Sequence, residues 1–106
     1  MSFATSRERL KAEKKKIEEE LMRLKPEKTG IQEKLSSILN EEERLIKELR
    51  ECRDAYKYNK IDVRLNMISR SRREINSENE GLERRVRGLT EDLEKITRKI
   101  QYLKPK

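Results

Sequence analysis

The chain has 106 residues, of which 46% are charged and 32% hydrophobic, and carries a formal net charge of +7. A compact globular domain usually draws on roughly 45–50% apolar residues, so composition leaves either disorder or long helices that bury one narrow stripe. There is no His, the lone Cys52 excludes an internal disulfide or a Cys-pair zinc site, and Gly30, Gly81 and Gly88 are too dispersed for a phosphate loop; no catalytic residue, metal, cofactor or small-molecule site is expected.

The opening residues MSFATSRERL lack the apolar stretch of a signal peptide, and no apolar run reaches the roughly 18 residues that would span a bilayer. The expected setting is cytoplasmic or nuclear, without a membrane partner. Residues 1–5 are expected to fray, and a first helix is expected over about 6–57. Its apolar ladder runs Phe3, Leu10, Ile17, Leu24, Ile31, Ile38, Leu45 and Cys52, each seven residues after the last. These are the d positions. The companion a positions are Arg7, Lys14, Leu21, Lys28, Leu35, Glu42, Leu49, Tyr56 and Val63. Steps of three and four sustained over many heptads mark a coiled coil. Pro26 falls at an outward f position with Leu24, Lys28 and Ile31 still in phase, so a local kink with a continuing seam is expected.

A second ladder runs Ile61, Ile68, Ile75, Leu82, Leu89, Ile96 and Leu103, with Leu65, Arg72, Asn79, Val86, Leu93 and Ile100 as companions. It predicts a second helix over about 62–104, with 105–106 frayed. The ladders differ in phase by two residues, which is neither a stutter nor a stammer, so a break or turn is expected at 57–64. There Asn59 offers a cap, with Asp62 in the capping-box position and Tyr58 and Val63 as a hydrophobic staple. The whole chain, 1–106, reads as a single all-α coiled-coil module.

A fold-back at 60–64 gives an antiparallel hairpin. Its flanking pairs are Glu27 with Lys99, Lys34 with Asp92, Glu41 with Arg85 and Glu18 with Lys104; its layers include Leu49 with Ile75, Glu42 with Leu82 and Ile38 with Val86. That register leaves Phe3, Leu10 and Ile17 uncovered, which points to self-association or a partner coil. The alternative is a continuous parallel dimeric rod. It would use Asn79 to set register but would stack Lys14, Lys28, Glu42 and Arg72 on their own copies. Oxidation separates the two, because Cys52 faces its own copy in the rod but Arg72 of the same chain in the hairpin.

Charge is uneven along the chain. Between Arg50 and Arg73 lie eight basic residues (Arg50, Arg53, Lys57, Lys60, Arg64, Arg70, Arg72 and Arg73) against three acids, with Tyr56 and Tyr58 interleaved. Such a segment suits RNA, where phosphates attract cations and bases stack on rings, and suits an acidic protein surface equally; a solvated face is the bland reading. The run SRSRR at Ser69–Arg73 could accept phosphate on Ser69 or Ser71. The segment IDVRLNMISRSRREINSENEGLE, with Ile61, Asp62, Ile68, Ile75, Ser77 and Leu82 in step, resembles the fungal brefeldin-A-resistance/nuclear-segregation family of coiled-coil proteins associated with messenger ribonucleoprotein particles. The resemblance covers about a fifth of the chain and departs from the family pattern around 78–81 and 83–90. It implies association with RNA particles. Three functions follow as expectations: an oligomerisation or scaffolding coiled coil, a basic hairpin that binds RNA or another polyanion, and a docking finger for a GTPase or cytoskeletal partner.

Overall fold

The structure, a computed structural model, describes residues 3–103, with side chains from Thr5 to Leu103. Two α-helices account for nearly all of it: α1, Phe3–Glu51 (49 residues), and α2, Ala55–Tyr102 (48 residues). The chain is an all-α antiparallel hairpin, so the continuous parallel rod is not the arrangement adopted. The helical residues of α1 begin at Phe3, three residues ahead of expectation. The Phe3 side chain, Lys104 and the expected fraying at 105–106 lie outside the described residues.

Sequence accounts for both helices. Each carries an apolar residue every seventh position, supplemented at about half of the intervening seam positions by a second one, and each ends in a basic last turn, Arg50 in α1 and Lys99 in α2, which complements the helix dipole. Helix α1 runs unbroken through Pro26. The proline faces outward, where its ring and missing amide leave the seam intact: Leu24 and Ile31 on either side are buried, with 3% and 7% of their surface exposed.

Contacts divide the chain into two compact units. One, Lys28–Gly81, contains the turn; in it Glu41 binds Arg64 at 2.8 Å and Arg44 at 3.8 Å. The other joins the α1 segment up to Glu27 to the α2 segment from Leu82. There Glu20 repeats the arrangement, holding Arg23 at 3.6 Å and Arg85 across the seam. In both units an acid on α1 is clasped by an arginine one turn on and by an arginine from the antiparallel helix.

The turn is Cys52–Asp54, not 57–64. Asp54 caps α2: its Oδ1 accepts from the Tyr56 amide at 2.9 Å, and its carbonyl accepts the first helical bond, from the Tyr58 amide at 2.9 Å. A cap of this kind is worth about 1 kcal/mol. The Cys52 amide closes the end of α1 on the Leu49 carbonyl at 3.3 Å. Asn59 and Asp62, expected to form the cap, lie inside α2. Tyr56 and Val63, expected to continue the first seam, are 68% and 59% exposed, so that ladder ends at Cys52.

Moving the turn moves the register. Glu41 meets Arg64 and not Arg85, 21 residues further on, whereas the partners of Glu42 and Ile38 move by 10 and 11 residues, the long side chains of the Glu41–Arg64 pair reaching across layers. Arg85 instead binds Glu20, Glu42 pairs with Arg72, and Ile38 shares a groove with Ile75 in place of Val86. The physical reason is coverage. A turn at 52–54 makes the helices nearly equal in length, so Leu10, expected to be bare, lies beside Leu103, and Ile17 is half-buried. Apolar burial contributes about 25 cal/mol per Å², and no register leaving three heptads unpaired competes with that.

Candidate interaction surface

Two surfaces could engage a partner: the seam itself, and the basic region that follows the turn. Along the seam, Leu24, Ile31, Leu45, Ile68 and Leu82 are buried. The other expected seam residues, Leu10, Ile17, Leu21, Leu35, Ile38, Leu49, Cys52, Ile75, Val86, Leu89, Leu93, Ile96, Ile100 and Leu103, are half-buried. Every a and d position of both ladders between Leu10 and Cys52 and between Ile61 and Leu103 is withdrawn from solvent to one of these degrees. Shallow clefts flank the seam. In the turn-containing unit one of about 440 Å³ is lined by Ile38, Ile75, Ser37, Lys34 and Glu33. In the other unit a cleft of the same volume is lined by Leu10, Leu103, Tyr102, Lys99 and Arg98.

The seam also carries charge. Glu42 and Arg72 both occupy a positions, with side chains 17% and 37% exposed, and Arg72 Nε lies 3.1 Å from Glu42 Oε2. Both atoms are buried, yet the contact lacks hydrogen-bond alignment, so it is an ion pair held by charge rather than by a straight hydrogen bond. This replaces the expected facing of Arg72 by Cys52. Cys52 is half-buried at the turn, its Sγ 3.3 Å from the Asp54 carbonyl oxygen.

The basic region is less uniform than its sequence. Arg72 is committed to Glu42, and Arg64 to Glu41. Arg50, in the last turn of α1, and Arg53, in the turn, are exposed, as are Lys57, Lys60, Arg70 and Arg73 on α2. Tyr58 is 45% exposed and Tyr56 68%, with the Lys60 ammonium 4.6 Å above the Tyr56 ring. Sequence reasoning did not single out Met67, 65% exposed, and assigned Val63 to the seam. Carrying the heptad labels of the second ladder back to Asp54 puts Tyr56, Val63 and Met67 at f, f and c, all outward positions where apolar residues have no seam to fill.

Among the described residues no cluster of His, Cys, Asp or Glu could hold a metal ion, and no helix is long and apolar enough to cross a membrane. No family model, curated protein or solved structure matches the chain.

Proposed function

We propose that this chain is a non-enzymatic coiled-coil assembly module, in which the hairpin joins a second copy of itself through the sides of its seam. The observation that supports this most strongly is incomplete burial. Among the described residues five seam side chains are buried, and clefts beside Ile38–Ile75 and Leu10–Leu103 leave apolar surface open in each unit. Two helices alone bury little surface per residue, and knobs from further helices would fill such clefts. Sedimentation equilibrium at micromolar concentration is expected to give twice the chain mass or more. Ser37→Lys, at the exposed rim of the Ile38–Ile75 cleft, should shift the protein toward monomer while circular dichroism stays helical. A wild-type chain that sediments as a fully helical monomer would sink the proposal.

A second reading, a basic hairpin that binds RNA, draws support from the exposed cations Arg50, Arg53, Lys57 and Lys60 around the turn and from the family resemblance. It requires RNA binding that weakens steeply with salt and is lost when Lys57 and Lys60 are replaced.

A further inference from the structure

Apolar side chains scattered singly over a surface need no explanation. Three of this chain's exposed large hydrophobics are not scattered. Tyr56, Val63 and Met67 are 68%, 59% and 65% exposed, and with Lys60 and Arg70 between and after them they recur at alternating steps of four and three along α2. That spacing sets all five on one stripe of the helix, on the side away from the buried Ile68. The chain therefore has two apolar stripes on α2, one closed by α1 and one facing solvent.

The charge around the open stripe is predominantly positive. Between Ala55 and Arg73 the cations are Lys57, Lys60, Arg64, Arg70, Arg72 and Arg73, and the acid is Asp62. Arg64 and Arg72 are neutralised by Glu41 and Glu42 of α1. Lys57, Lys60, Arg70 and Arg73 face solvent, joined by the paired but still exposed Arg64, against the exposed acids Asp62 and, one step beyond Arg70, Glu74; they border an apolar strip of about three helical turns, roughly 16 Å long at 1.5 Å per residue.

We propose that this stripe docks an acidic amphipathic helix from a different protein. Three apolar anchors seven and four residues apart match the way one helix lays its apolar face along another, and the bordering cations call for carboxylates on the partner's flanks. The chemistry does not favour RNA: Val63 and Met67 are aliphatic and offer no ring on which a base could stack. Nor does it favour a symmetric contact with a second copy, which would set Lys57, Lys60, Arg70 and Arg73 against themselves. The stripe is distinct from the seam clefts used for self-association.

The test is fluorescence anisotropy of the full chain with three labelled probes: a designed helical peptide with leucines at heptad spacing flanked by glutamates, polyglutamate of equal charge, and a uridine oligonucleotide. The peptide is expected to bind saturably at physiological salt and more tightly than either polyanion. Val63→Ser with Met67→Ser should weaken it about tenfold, and Lys60→Glu with Arg70→Glu at least as much. Met22→Ser, on the exposed face of α1, should leave it unchanged. Self-association should survive all of these substitutions, which separates this proposal from the previous one. Polyglutamate or oligonucleotide binding as tight as the peptide, indifference to Val63→Ser with Met67→Ser, or no saturable peptide binding would each overturn it.

Discussion

Leu45→Ala is expected to destabilise the chain by about 2–4 kcal/mol, read as a lower midpoint in urea unfolding followed by helix circular dichroism. Leu45 is 3% exposed, as closed off as any side chain in the seam. It belongs to the turn-containing unit, where Ile31 and Ile68 are the other buried residues. Truncation removes the transfer free energy of the lost methyl groups and leaves a cavity that two helices tied by a short turn can only partly close. With so few buried residues, one deletion is a large share of a stability of a few kcal/mol. Met22→Ala, at a site 66% exposed, should fall within about 0.5 kcal/mol of wild type. Equal losses at the two sites would mean that Leu45 does not face α2.

The second large effect is expected at the charged layer. Glu42→Leu leaves the Arg72 guanidinium half-buried without its carboxylate, at a cost of about 1–3 kcal/mol; Arg72→Leu strands Glu42 in the same way. Glu42→Leu with Arg72→Leu together should recover wild-type stability or exceed it, because an apolar pair avoids the desolvation that an ion pair in a seam incurs. A double-mutant cycle of urea midpoints measures the coupling. If either single substitution is neutral, the pair contributes nothing and the side chains point to solvent. The double variant should also lose uniqueness, populating more than one oligomer in sedimentation, since a polar layer in an otherwise apolar seam sets register.

The seam was legible because its signal is repeated many times and depends only on spacing. Leu24, Ile31, Leu45, Ile68 and Leu82 all sit at d positions of ladders visible in the residues alone. The turn was not legible, because it rests on one carboxylate. Asp54 caps α2 without a Gly or Pro nearby, whereas Asn59 and Asp62 have the same chemistry and a better-known spacing. Register was illegible for a different reason. Heptad sequences nearly repeat under a slip of seven, so Glu41 finds an arginine at 64 as readily as at 85, and exposed pairs worth a few tenths of a kcal/mol do not decide between them. The turn decides, by equalising the helices. The misassignment of Tyr56 and Val63 has the same root: a ladder extended past its true end at Cys52 places outward residues in the seam, and so hid the open stripe they form with Met67.

The closed seam and the open stripe both require the chain to fold back at Cys52–Asp54, and a spin-label distance tests this most directly. Labels at Glu41→Cys and Arg64→Cys, with Cys52→Ser and an excess of unlabelled chain, report only intramolecular separation. Antiparallel helices have axes about 8–10 Å apart, so the hairpin predicts a single short distance of about 20 Å or less once label length is included. A continuous helix through the same residues would separate the labels by roughly 35 Å at 1.5 Å per residue. A dominant distance near that value would contradict the fold-back, and with it the closed seam and the open stripe.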